Sequence, residues 1–203
     1  MRKSILWWLT GCTLTLSTII LTISLNSPEV HSPTITSAIS KVKLSGYQTK
    51  FMIGDYNMRN HQNKQVSWKN FSKRPLYITA GFTRCPHTCP MTMNLYQRLA
   101  KQINHQADFA LLTVDPEHDK PSVLKRYLSA INPSFIGLQI DDKTEFNQSI
   151  SDLKQSLINS GEPSDLMHSD YIYLLHPKLT GLVLYTKPDI KSMANDLIIL
   201  NTI

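Results

Sequence analysis

The chain has 203 residues, 41% of them hydrophobic, with 21 Lys and Arg against 15 Asp and Glu, for a formal net charge of +6. That is enough apolar material for one ordinary domain plus extra segments, and it excludes wholesale disorder. No Lys/Arg run or zinc-finger spacing accompanies the charge, so nucleic acid is not an expected partner. An anionic membrane surface or an acidic protein fits better, alongside the plain reading of a solvated basic face.

Arg2 and Lys3 precede an apolar stretch from Ile5 to Leu25. Roughly 20 residues make about 30 Å of helix, enough to span a bilayer. Trp7 and Trp8 sit near its start, where amphipathic rings favour the interface. Residues 1–25 therefore read as a transmembrane anchor, with the N-terminus cytoplasmic and the remainder exported. Two rivals exist. A cleaved signal peptide lacks a small-x-small site after the apolar run. A lipoprotein signal would use Leu9-Thr10-Gly11-Cys12, with Cys12 lipidated, but the chain stays apolar beyond it. There is no Arg-rich amphipathic leader, so the expected address is a bacterial inner membrane with a periplasmic domain. Residues 26–45, rich in Ser, Thr and Pro, read as a flexible tether, and residues 46–203 as the folded domain.

Within the domain, Gly46 to Tyr56 reads as a hairpin arm, Asn57 to Lys64 as a polar turn and Gln65 to Trp68 as a short return strand. Arg74 to Phe82 carries a buried-strand pattern. Met91, Leu95, Leu99 and Ile103 recur at helical spacing after Pro90, which suits a first helical turn. Phe109 to Val114 is a continuous apolar run, the mark of a strand covered on both faces. A helix follows from Pro121, a strand over Phe135 to Ile140, and a helix over Asp141 to Asn159. Tyr171 to Leu175 and Leu182 to Tyr185 form a strand pair, and Pro188 to Ile199 a closing helix. The alternation predicts an α/β fold of thioredoxin-like type with an N-terminal hairpin extension.

The chemistry gathers in Gly81-Phe82-Thr83-Arg84-Cys85-Pro86-His87-Thr88-Cys89-Pro90, which holds two of the three cysteines. At a strand-to-helix junction both sulfurs can reach one bound atom. The partial positive charge of a helix N-terminus favours thiolate, which is both nucleophile and metal ligand. The residues leave three readings open. One is a soft metal site for Cu(I) or Zn, incomplete without a further ligand. Another is a redox dithiol, although three residues separate the cysteines where thioredoxins have two. The last is a structural disulfide closing a tiny loop. No phosphate loop, serine triad or paired carboxylates support a hydrolase.

The same decapeptide resembles the signature of the Sco/SenC family. Leu112-Thr113-Val114-Asp115-Pro116-Glu117-His118-Asp119-Lys120-Pro121 resembles that family's second block, and Met167-His168-Ser169-Asp170-Tyr171-Ile172-Tyr173-Leu174 its third. The resemblance implies a membrane-tethered thioredoxin-like domain that binds copper through Cys85, Cys89 and His168. It further implies a metallochaperone assisting assembly of the binuclear copper centre of cytochrome c oxidase, whose copper-accepting subunit is the expected partner. The alternative is a thiol–disulfide reductase, with Cys85 and Cys89 catalytic, that keeps the oxidase cysteines reduced. A peroxide-reducing relative of the fold is a third option. On its own residues His168 reads as a loop histidine, one of seven in the chain.

The match has departures. Met167 stands where the family usually has Asp, which bears on the hydrogen bonding around the histidine. His176 replaces another Asp, and the turn from Pro177 to Gly181 is lengthened. His87, between the cysteines, reads as an exposed turn histidine rather than a competing ligand. Asp115 reads as a structural residue that caps the turn before the second helix.

Overall fold

A computed structural model describes residues 42–49, 54–153 and 170–203. All belong to one compact unit, Lys41–Ile203. The expected anchor, Cys12, most of the tether, Met167, His168 and the end of the third helix, Leu157 included, lie outside the described residues. Among the described residues no helix is long and apolar enough to cross a membrane.

The elements in chain order are β1 (Tyr47–Gln48), β2 (Met58–Asn60), β3 (Gln65–Val66), a 3-10 turn (Trp68–Phe71), β4 (Leu76–Gly81) and α1 (Thr88–Gln102). Then come β5 (Asp108–Thr113), α2 (Pro121–Ile131), β6 (Ile136–Ile140), α3 (Lys143–Asp152), β7 (Ile172–Leu175), β8 (Leu182–Tyr185) and α4 (Ile190–Thr202). All eight strands form one sheet in the order β1-β8-β7-β4-β5-β6-β2-β3. β4, β5 and β6 are parallel, with Gly81 opposite Thr113 at their carboxyl ends. β7 runs antiparallel to β4, and β8 to β7.

The apolar runs are explained by the two layers they face. One layer packs Met93, Tyr96 and Leu99 of α1, Leu124 and Leu128 of α2, and Met193 and Leu197 of α4 onto Tyr77, Phe109 and Leu111. The other packs Met58, Trp68 and Leu153 onto Ile78, Leu112 and Leu138, with Phe146 of α3 alongside. Alternate residues of β4 and β5 serve opposite layers, so both strands are apolar along nearly their whole length. A fully buried Leu such as Leu99 contributes roughly 1.5–3 kcal/mol, and Leu99→Ala would cost about 2–5 kcal/mol.

Three sequence expectations change at the edges. Tyr47–Gln48 does not form a hairpin with Gln65–Val66; it pairs with β8 at the far edge of the sheet. The partner of Gln65–Val66 is Met58–Asn60, part of the stretch that reads as a polar turn. This strand lies between β6 and β3, one in from the edge; Arg59 reaches Asp141 at 2.6 Å while Met58 alone is fully buried. α1 begins at Thr88 rather than Met91, which places Cys89 inside its first turn.

Candidate metal and thiol centre

The cysteine turn leaves the carboxyl end of β4, where open α/β sheets commonly place their ligands. Cys85 N–H donates to Phe82 O at 3.2 Å, closing a tight turn, and α1 starts three residues later. Cys89 N–H then donates to Cys85 Sγ at 3.4 Å, so the two cysteines face each other across the first helical turn. No disulfide joins Cys85 and Cys89 in this structure. Cys89 is 2% exposed. Cys85 is half-buried and packs against Phe82, Val114 and Ile150.

Gly81 makes room for the buried sulfur. A Cβ there would lie 2.9 Å from Cys89 Sγ and 2.8 Å from Leu111 Cδ1. Burial pushes the Cys89 thiol well above its ordinary range, with Cys85 and Asp119 adding to the rise against an opposing contact from Phe82. The expectation that the helix N-terminus favours thiolate is therefore overturned at Cys89. Partial charge at a helix end is worth at most about 2 kcal/mol, and desolvation of a buried thiolate exceeds that.

Two buried acids hold the turn in place. Asp119 is wholly buried and accepts from Thr83 N–H at 2.9 Å, Thr83 Oγ1 at 2.5 Å and Thr113 Oγ1 at 2.7 Å. It ties the turn to the end of β5. Asp115 accepts from Arg84 Nη2 at 2.6 Å and pairs with His118 Nδ1 at 2.8 Å. Burial alone would raise the Asp115 carboxyl, but Arg84 and His118 outweigh it and hold it below the usual range. Asp115 is not the cap of α2; the N-cap position is Lys120. Its carboxylate is used instead on Arg84, next to Cys85, because the Asp115–Asp119 turn folds back over the cysteine turn.

Tyr127 of α2 is half-buried against the layer that holds α1 and lies near enough to feel the pair. Burial, followed by the cysteine sulfurs and Asp119, pushes its phenol up to about 12. His87 is exposed, and its side chain makes no capping bond to α1. Among the described residues no third Cys, His, Asp or Glu gathers with the cysteines into a metal-holding group. The donor set on view is thus two sulfurs, and the imidazole expected to join them lies outside the described residues. Asp119, Gly81 and Tyr127 are site residues that sequence reasoning missed. For Asp119 the quoted second block held the residue, but nothing in it marked the carboxylate as aimed at Thr83.

The sequence model of the SCO1/SenC family matches residues 45–198. The SCO2-like protein of Rickettsia felis is 33% identical over 88 residues, 42% of this chain and 43% of that protein. The chain spans about half the length of the curated relatives it matches. Copper-bound ScoI from Arabidopsis thaliana has a similar fold, with a TM-score of 0.67, 21% identity and coverage of 74% of this chain and 98% of that one. BsSco, described as a member of the Sco family of cytochrome c oxidase assembly proteins with a disulfide switch, gives a TM-score of 0.65 at 19% identity, covering 79% and 98%.

Proposed function

The chain belongs to the SCO1/SenC family, whose model spans residues 45–198, and from that premise we propose that it is a membrane-tethered copper metallochaperone for cytochrome c oxidase. Copper is its cargo. Cys85 and Cys89 offer two soft sulfurs suited to Cu(I), and the imidazole of His168 completes the set and suits Cu(II) as well. The acceptor is the copper-accepting subunit of the oxidase. Residues 1–25 anchor the chain in a bacterial inner membrane, and the domain works in the periplasm.

One observation carries this reading: the Cys85 sulfur accepts from Cys89 N–H at the start of α1, which brings the two cysteines together, with Gly81 leaving room for the inner sulfur. The inner thiol is protonated where it lies, so copper uptake releases a proton there. The half-buried outer sulfur stays within reach of a partner, and low coordination favours ligand exchange. The copper-bound relative supports the choice of cargo.

The asymmetry of the pair favours a second reading. A reachable Cys85 with a buried Cys89 behind it suits a thiol–disulfide reductase, in which Cys85 attacks and Cys89 resolves. Cu(I) titration of the reduced protein separates the two. One-to-one binding that is lost in His168→Ala while the dithiol stays intact is the chaperone outcome. Binding indifferent to His168, with rapid reduction of a disulfide in the oxidase subunit, is the reductase outcome. Turnover of peroxide would point to neither.

A further inference from the structure

The seam between α1 and α4 opens beside Cys89 and has no part in holding the sulfurs. Two adjoining hollows run along it. The first is lined by Pro90, Met91 and Leu95 of α1 and by Pro188 and Ile190 at the start of α4. The second continues toward Gln102, Ala194 and Ile198. Arg98 and Lys191 border both, so two cations stand at the waist of a single trough. Met91 at one end is 74% exposed and Ile198 at the other is 56% exposed. Single exposed apolar residues are ordinary; two at opposite ends of one trough, with two cations between them, make a cationic surface flanked by apolar side chains.

The charge in the trough is positive. Asp189 lines the first hollow and stays anionic: its carboxylate accepts from Ser192 N–H at 3.0 Å, is held down by that contact and by Lys191, and offsets part of the charge of Arg98 and Lys191. Arg98 and Lys191 form none of the described salt bridges. From Met91 to Gln102 the α1 wall is about 16 Å long at 1.5 Å per residue, room for one short segment of another chain. A second copy of this chain is a poor occupant, because each copy carries +6.

We propose that this trough docks an acidic segment of the copper-accepting protein. A carboxylate of that segment sits between Arg98 and Lys191, and an apolar side chain packs against Met91. Pro90, next to Cys89 in the chain, lines the same hollow as Met91, so a partner seated there lies at the end of α1 that carries the dithiol. The identity of the partner rests on the chaperone reading; the acidic, apolar-flanked chemistry rests on the trough.

The test uses the full chain loaded with Cu(I). Copper transfer is timed to the purified soluble domain of the oxidase subunit and, separately, to a small chelator, at low and high salt. Arg98→Glu with Lys191→Glu is expected to slow transfer to the domain at least about tenfold at low salt, with the chelator rate unchanged. Met91→Asp is expected to slow it as well. Transfer to the domain at the unaltered rate in both variants would overturn the proposal. So would loss of binding to vesicles containing anionic lipid while transfer is untouched, which would reassign the trough to a membrane surface. If the unaltered protein holds no copper, the chaperone reading fails but the trough is still tested. Calorimetry of the copper-free chain with the same domain then decides: binding weakened by the charge reversal upholds docking, and no binding overturns it.

Discussion

Asp119 and Asp196 are both wholly buried, and each gathers donors from a stretch of chain that has no regular structure of its own. Asp119 holds Thr83 of the cysteine turn. Asp196, on α4, accepts from Ser45 N–H at 2.8 Å and Gly46 N–H at 2.9 Å, with Tyr185 Oη at 3.2 Å. The chemistry is the same, but the consequence differs. A buried carboxylate with several donors fixes a loop more firmly than neutral contacts would, since charge-assisted bonds are roughly twice as strong. At Asp196 that rigidity secures the start of the domain beside β1. At Asp119 it secures the thiols. The pair therefore separates what a buried acid does for stability from what it does for the site.

Removing either acid is the largest perturbation expected. Asp119→Ala and Asp196→Ala each strand buried donors and should cost about 3 kcal/mol or more, read by urea unfolding. The Asn variants sharpen the contrast. Asp119→Asn should change the alkylation rate of the dithiol several-fold, whereas Asp196→Asn should leave it as it was; equal rates would break the comparison.

The two glycines beside these clamps come next. Gly81→Ala sets a methyl 2.9 Å from Cys89 Sγ, and Gly46→Ala sets one 2.5 Å from Val183 Cγ1. Both should lose about 1–3 kcal/mol by overpacking. Only Gly81→Ala should also alter thiol reactivity, because only there is the displaced neighbour a sulfur.

Acid should weaken the domain in two steps, neither through the cysteines. His61 accepts Gly137 N–H on Nδ1 at 2.9 Å, and His176 accepts Lys178 N–H at 3.3 Å. Burial, with nearby Lys125 for His61, lowers both rings below the ordinary 6.5. The unfolded chain thus binds protons first, so this stability is full above 6.5 and is lost as pH falls through the folded values. Asp115 and Asp152 behave likewise below 3.8, their carboxyls held down by Arg84 and His118 and by Tyr56 and Gly54 against the upward pull of burial. Unfolding midpoints measured from pH 7 to pH 3 should fall in that order, and a flat profile between pH 7 and 5 would refute the histidine step.

The smallest effect is expected at Arg84. Its side chain is 41% exposed, so losing the bond to Asp115 in Arg84→Ala should cost no more than about 1 kcal/mol. The variant should also make the most acidic limb of the profile shallower, because Asp115 loses a group that lowers it.

Much of the architecture was legible because it is local. The period of Met91, Leu95 and Leu99, the unbroken run from Phe109 and the Pro at the start of α2 each report on neighbours within a few residues. The edges were less legible: β1 and β2–β3 are two or three residues long, too short to show a period, and their register comes from distant strands. In the site, the cysteine pair and its strand-to-helix setting could be read directly, and so could the resemblance that adds His168. The roles of Asp119 and Asp115 could not, since their partners are 36 and 31 residues away.

By itself, then, the order of residues determined the central strands and the helices that cover them, where the two sulfurs fall along the chain, and which family it belongs to. Only the tertiary structure decided that one sulfur is buried against Gly81 and the other half-open, that a buried acid grips the turn just before them, and that two cations line the seam alongside. Backbone periodicity and turn chemistry act between near neighbours, whereas burial and desolvation depend on what the rest of the chain brings to the same place.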